Sequence, residues 1–515
     1  MVNDLILESH QVIPFRNAHN MFKSNFGLLC TSGTGTGKSY IGMALAMYYK
    51  FKLIIVCPAD ARLNWEEMVA TYKLDAIILT YNVLIGRSGV MNHPYLVKSG
   101  DAYYPTQALT DLVKSKVIVI YDESQVAKNP TTNTNKACHA ISKEIVRANN
   151  GSRILLLTAT PIDKEIYIES LFRLMGIITA DKLFHYNAGH REYIMNGYGY
   201  EQAYNFCYKL NPGIARGLYP ERLKADTIRA SLYSLYVEVA KQSVSFTMPR
   251  PKIDAKLFTK TMHYKIDDSD LIKLKRGLQE LKEAVQYKED GSFVYKKDGL
   301  GKIISSMILM ELSKINLFVR LISDVLNYVD NSKVIMYVWH NSTVDELMHR
   351  LRHFNPLRCD GKVKHEVRHQ NRKLFQADDS KFRLIIAKPT SFGRSIGLHD
   401  THSKYPRFTF INPNFHFNHI IQAVGRTFRV GSKSDSRVFL TYALGNDENS
   451  VINALSKKSE VTRQCLAVYS DTEDPKGDSK TDSKTDSKTD VEDDEDIEVL
   501  PDYIPFVDKW ESQCE

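Results

Sequence analysis

Between Phe26 and Leu157, short apolar and β-branched runs alternate with longer stretches whose apolar residues recur at helical spacing. The runs predict strands at Phe26–Cys30, Lys52–Cys57, Ala76–Leu79, Lys116–Tyr121 and Arg153–Leu157. Strands that are apolar throughout, separated by amphipathic helices, are the pattern of a parallel α/β sheet covered on both faces. Residues 164–320 differ, being tyrosine-rich and mostly helical in period, with an amphipathic helix predicted over Leu271–Gln286 and no clear strand alternation. The α/β rhythm returns after Lys333, with strands predicted at Val334–Val338, Phe382–Ile386, Arg407–Ile411 and Arg437–Tyr442. The expected architecture is α/β. It has a first lobe over 1–180, a helical section over 181–320, a second lobe over 321–465 and a tail over 466–515.

The tail changes the picture of charge. It repeats D-S-K-T three times from Asp478, ends the repeat at Asp490 and continues into an acidic run, Glu492–Asp496. Such a segment cannot bury enough apolar surface to offset its ordering entropy and is expected to be disordered. Apolar residues return at Leu500, Tyr503, Ile504, Phe506, Val507 and Trp510. They suit either a hook for a protein partner or a segment that docks back on the body. Residues 471–515 hold 17 acidic and 5 basic side chains, a net of −12, so the chain total of +8 leaves +20 on residues 1–470. A body that basic suits phosphate backbones, although lysines also serve solubility, and charge alone does not decide. The N-terminus lacks a signal-peptide layout, no apolar run approaches the roughly 20 residues of a bilayer span, and the seven cysteines are scattered without close pairs. These features predict a soluble, intracellular protein with reduced thiols and no membrane partner.

The chemistry lies at the ends of the predicted strands. After Cys30 comes Thr31-Ser32-Gly33-Thr34-Gly35-Thr36-Gly37-Lys38-Ser39, followed by a helix predicted over Tyr40–Tyr49. A glycine-rich turn between a strand and a helix can cradle phosphates with backbone N–H groups at the positive end of the helix dipole. Lys38 would reach the β/γ-phosphates of ATP, and the Ser39 hydroxyl would hold Mg²⁺. Ser32 stands where the strict pattern has its first glycine. The Val117–Tyr121 run ends in Asp122-Glu123, 84 positions after Lys38. There Asp122 can bind Mg²⁺ through water and Glu123 can orient and deprotonate an attacking water. Leu155–Leu157 leads into Thr158-Ala159-Thr160-Pro161, whose hydroxyls suit a relay from phosphate state to nucleic acid, or simply an N-cap. Far downstream, Gln422-Ala423-Val424-Gly425-Arg426-Thr427-Phe428-Arg429 sets two arginines three apart, expected on one helical face as fingers for a γ-phosphate.

In this order the motifs resemble helicase superfamily 2, and more narrowly its SWI/SNF-like branch, over roughly residues 8–180 and 300–460. Branch-level matches are Pro58 with Asn64-Trp65, Thr80-Tyr81, Asp122-Glu123 with Lys128-Asn129, Asp360-Gly361, Asn412-Pro413, and Pro249 with Pro251. The resemblance implies two RecA-like lobes that close on ATP and move along a nucleic acid. It further implies that Gln11 of the His10-Gln11 element contacts adenine, that Arg426 and Arg429 are the fingers, and that Gln422 shares their motif. Thr80, Tyr81 and the Gly393–Leu398 segment with Gly397 would couple nucleic acid to ATP. Departures from the pattern are Ser124-Gln125 for Ala-His, Phe428 for a histidine, His399 for an asparagine, and the lack of paired arginines near Leu235. The compact form and repetitive tail are more like a viral or plasmid-encoded member. Duplex DNA is the favoured track, with RNA or single-stranded DNA as alternatives. An RNA helicase or a transcription initiation or release factor is the runner-up.

Overall fold

The computed structural model describes residues 5–33, 35–86, 93–159, 165–187, 192–194, 198–222, 224–249, 253–287, 293–295, 299–389, 397–413 and 417–443. Thr34, Thr160, Pro161, Pro251, residues 393–396 and the whole tail, with its expected disorder and its hook, lie outside the described residues. The chain divides into two compact units, one within Met1–Lys252 and the other from Ile253 onward.

The first unit is built on a six-stranded sheet in the order Ser245–Phe246, Gly27–Cys30, Arg153–Leu157, Val117–Asp122, Lys52–Cys57, Ala76–Thr80. Every ladder in it is parallel. Side chains alternate between the two faces of a strand, and both faces here are dry. Leu29, Ile54, Val56, Val119, Tyr121, Ile154 and Leu156 belong to one core. Their neighbours Leu28, Cys30, Leu53, Ile55, Ile118, Ile120, Leu155 and Leu157 belong to the other. The apolar runs in the sequence are thus explained by two cores, one on each side of the sheet. Because all strands run the same way, the loops that begin at Thr31, Pro58, Thr80, Glu123 and Thr158 leave from one edge, where α/β sheets bind ligands.

The second unit repeats the arrangement. Its six parallel strands lie in the order Leu257–Tyr264, Ser436–Ala443, Arg407–Ile411, Lys333–Tyr337, Leu384–Ala387, Leu357–Cys359. Both units are thus built on six-stranded parallel sheets, as the expected α/β lobes require. The helical section expected over 181–320 is shared out between them. Helices Gly199–Leu210 and Ala225–Leu235 pack into the core of the first unit, and Ser245–Phe246 joins its sheet. Leu257–Tyr264 is instead an edge strand of the second sheet. The sequence pattern missed it because an edge strand with one solvated side carries Thr259, Lys260, Thr261 and His263 among its apolar residues.

Charged groups also hold the second unit together. Lys333 and Arg407 begin adjacent strands and are fully buried. The Lys333 ammonium donates to the carbonyls of Phe375 and Ala377, both at 2.8 Å, and burial pushes its pKa down to about 8. Glu311, on the Gly299–Leu312 helix, reaches the carboxyl ends of two strands. It accepts from the backbone N–H of Trp339 at 2.9 Å, the N–H of His340 at 2.9 Å and the side-chain amide of Asn412 at 2.7 Å. Among the described residues no helix is long and apolar enough to cross a membrane.

Glu311→Ala should leave these donors without their acceptor in a dry site. The expected loss is about 3 kcal/mol of stability, read as a lower midpoint in thermal or urea unfolding. A midpoint that stays in place would show that the carboxylate is not a structural staple.

Candidate nucleotide site

The described residues of 31–37, all but Thr34, form the turn between the Gly27–Cys30 strand and the Lys38–Tyr49 helix. Gly35 and Gly37 take left-handed backbone conformations, with φ of 80° and 83°. A Cβ at Gly37 would also lie 2.3 Å from Gln11 Nε2, so a side chain there would displace the Gln11 amide from the loop. The loop is braced from outside and from within. Gln11 donates to the carbonyls of Thr36 at 3.2 Å and Gly37 at 3.4 Å, and His10 Nε2 lies 3.1 Å from the Thr36 carbonyl. The Thr36 hydroxyl donates to Gly33 at 3.0 Å. Gln11 is buried and its Oε1 accepts from Glu8 N–H at 3.0 Å, so its amide is engaged with the loop and the helix start. Lys38 stretches back over the turn and donates to the carbonyls of Ser32 at 3.0 Å and Gly33 at 2.9 Å. A glycine cradle with an ammonium at its mouth fits a polyphosphate, and the half-buried Ser39 lies beside Lys38 in the first helical turn.

The acidic pair closes the other side. Asp122 is the last residue of a strand buried along its whole length, and Glu123 turns away in a left-handed conformation, φ 51°. Trp65, on the Arg62–Thr71 helix, donates its indole N–H to Asp122 Oδ2 at 2.9 Å. Tyr81 donates its hydroxyl to the Asp122 backbone carbonyl at 2.9 Å. Burial, and next the neighbouring Glu123 charge, raise the Asp122 carboxyl to about 6, against the pull of the Trp65 hydrogen bond and the Lys38 charge. Gln125, standing where the resemblance has a histidine, donates its amide to Glu123 Oε2. In the sequence Trp65 is only a match to the family pattern, and its contact with the Asp122 carboxylate is made by the fold. Thr80 caps the short Tyr81–Leu84 helix by accepting from Val83 N–H at 3.2 Å. Thr80, Tyr81 and Thr158 are all buried, so within this unit they lie beneath the edge of the site.

The arginine motif lies in the second unit. Gln422 and Arg426 are four apart on the Phe417–Thr427 helix and both are buried. Arg429 stands beyond the end of that helix, so the two arginines do not share a helical face as their spacing suggested. The chain turns there because Gly431 adopts φ 89° and the Ser432 hydroxyl accepts from Arg429 N–H at 3.1 Å. Gly397 is brought against this turn. A Cβ on it would meet His399 Nδ1 at 2.7 Å and Arg429 Cδ at 3.1 Å, and Leu398 N–H donates to the Arg426 carbonyl at 2.7 Å. Burial, then the charges of Arg429 and Arg407, hold His399 down to about 3 and hence neutral.

Comparison with known proteins adds two relatives. A protein of Acanthamoeba polyphaga mimivirus named "Putative ATP-dependent RNA helicase" is 26% identical over 475 residues, 87% of this chain and 82% of its own length. A Caenorhabditis elegans homolog of SWI/SNF-related matrix-associated actin-dependent regulator of chromatin subfamily A-like protein 1 is 23% identical over 466 residues. Both relatives carry helicase or SWI/SNF-related names, in agreement with the resemblance to the SWI/SNF-like branch of helicase superfamily 2. The match to the nematode SWI/SNF-like protein takes in 86% of the chain but 60% of that relative. The mimivirus relative agrees with the viral character expected from the form of the sequence. The SWI2/SNF2 ATPase core of Sulfolobus solfataricus, solved with double-stranded DNA, is 16% identical, and the match covers 90% of this chain and 93% of that one. Its TM-score is 0.30. No protein-family model matches the chain.

Replacing Trp65 with phenylalanine removes a hydrogen bond that favours the charged form of Asp122, so the Asp122 pKa should rise further. ATP hydrolysis should then fall several-fold at about pH 6.5 and little at about pH 8.5. The pH–rate profile tests this, and an acid limb that does not move would rule the contact out as a tuning device.

Proposed function

We propose that this protein is a motor that hydrolyses ATP to ADP and phosphate and uses the cycle to move along duplex DNA. The observation that carries the reading is the convergence of Lys38, Asp122 and Glu123 at the carboxyl edge of one parallel sheet, where the Lys38 charge favours the ionised Asp122 carboxylate. Lys38 would leave the Ser32 and Gly33 carbonyls to neutralise the β/γ-phosphates. Glu123, steadied by Gln125, would accept the proton of the attacking water as its oxygen bonds to the γ-phosphorus and the bond to ADP breaks. Ser39 and Asp122 would hold Mg²⁺, which when bound neutralises charge on the β/γ-oxygens. Arg426 and Arg429 are proposed as the fingers that stabilise transition-state charge, with Gln422 in their motif and Gly397 in the segment that couples them to nucleic acid. Thr80, Tyr81, Thr158 and Thr160 would pass the phosphate state to the strand contacts.

The excess of +20 over residues 1–470 supports a phosphate-backbone track, whose affinity should fall steeply with salt. The second reading is an RNA track, favoured by the name of the mimivirus relative. Backbone contacts do not distinguish the two. Protein partners are proposed to engage the apolar residues between Leu500 and Trp510.

Steady-state ATP hydrolysis with duplex DNA, single-stranded DNA or RNA tests the track, with Glu123→Gln as blank. Strong stimulation by duplex DNA is expected, and Lys38→Ala should lower turnover by about 100-fold or more. Stimulation by RNA alone would transfer the chain to the RNA reading. Turnover no higher than the blank under every condition would overturn the motor. Removing residues 471–515 should preserve the stimulated ATPase while abolishing capture of a protein partner. Loss of the ATPase itself would mean that the tail serves the engine.

A further inference from the structure

Ser32 breaks the glycine pattern of the loop, and the structure gives the serine an occupation no glycine could fill. Its side chain is fully buried, and its hydroxyl accepts from the backbone N–H of Met248 at 2.8 Å, with Cys30 Sγ 3.1 Å away. Its own carbonyl accepts from Lys38 Nζ at 3.0 Å. One residue therefore touches the phosphate-binding lysine on its main-chain side and Met248 on its side-chain side. Met248 lies just past the Ser245–Phe246 strand, four residues before the first unit ends at Lys252. The preceding residues are tied to the loop in the same manner. Thr31 N–H donates to the Phe246 carbonyl at 3.0 Å, and the hydroxyls of Thr31 and Thr247 are hydrogen-bonded to each other. Three consecutive residues on the way out of the unit thus hang on the first two residues of the loop.

We propose that Ser32 is a positioning residue that transmits the state of the phosphate loop to the chain segment leading into the second unit. The inference rests on the reading of this loop as an ATP site. While Lys38 bonds to the Ser32 and Gly33 carbonyls, the loop entry is held on both sides. When Lys38 turns to a phosphate, the Ser32 carbonyl loses its donor, the residue shifts, and the hydroxyl bond to Met248 shifts with it. A glycine would leave the buried Met248 N–H without this acceptor, which accounts for serine at this position. A bond that merely supported the fold would be the same with and without nucleotide.

Backbone hydrogen exchange across residues 244–249 of the full chain reads the bond directly. Measurements without nucleotide and with a non-hydrolysable ATP analogue plus Mg²⁺, with binding followed in parallel, should show the rate at Met248 changing about threefold or more on binding. Ser32→Ala should exchange fast in both states. Thr247→Val, outside the binding machinery, should shrink the response at Met248 while the KM for ATP stays unchanged, and serves if Ser32→Ala does not fold. Bound analogue with no change at Met248 in the parent protein, or an undiminished response in both variants, would overturn the proposal. Failure of the parent protein to bind the analogue at all would overturn the ATP-site reading and the latch with it.

Discussion

Parallel alignment of the strands is the constraint on which the rest of this molecule depends. A parallel sheet needs a crossover after every strand, and crossovers bury both faces. The first unit therefore spends its apolar residues on two cores at once, with Leu28 and Leu29, or Ile118 and Val119, pointing to opposite ones. The same alignment puts the loop at Thr31, the acidic pair, the Thr80 cap and Thr158 on a single edge. Residues up to 127 positions apart are thereby brought together with no need for local sequence proximity.

At that edge the protein holds charge in a dry place. Asp122 is buried next to Glu123, and two carboxylates so placed resist ionising together. The surroundings offset this with an indole N–H, a lysine and the turn that points Glu123 away from its neighbour. Each is a fixed dipole or charge that a cation or a phosphate can complement, and preorganised groups of this kind are the usual source of catalytic power. Gln125 extends the logic, because an amide can hold Glu123 in place without adding a titrating group where the branch more often has histidine.

The second unit uses buried polar groups differently. Lys333, Arg407 and Glu311 are spent almost wholly on backbone carbonyls and N–H groups at strand and loop ends. Arg407 holds the carbonyls of Leu398 at 2.7 Å and Tyr405 at 2.6 Å, so it fixes the loop that carries Gly397. That loop is in turn bonded to the arginine helix, since Leu398 N–H donates to the Arg426 carbonyl.

The sequence by itself determined the parallel α/β character, nine of the twelve strands of the two sheets, all but one to within a residue, the glycine loop and the acidic pair. It could do so because these signals are local: apolar runs fit a strand buried on both sides, and a phosphate turn needs glycines at set positions. Only the tertiary structure decided what depends on distant partners. Ser245–Phe246 and Leu257–Tyr264 were not legible, since a two-residue strand and a half-solvated edge carry no apolar period. The hydrogen bonds of Trp65 to Asp122, Glu311 to Trp339 and Ser32 to Met248 were equally hidden, joining residues 57, 28 and 216 positions apart. The end of the arginine helix at Thr427 was set by the Gly431 turn beyond it, so a spacing that suggested one face became two different environments. Local pattern selects the elements, but the direction in which a polar group points is chosen by whatever the fold brings beside it.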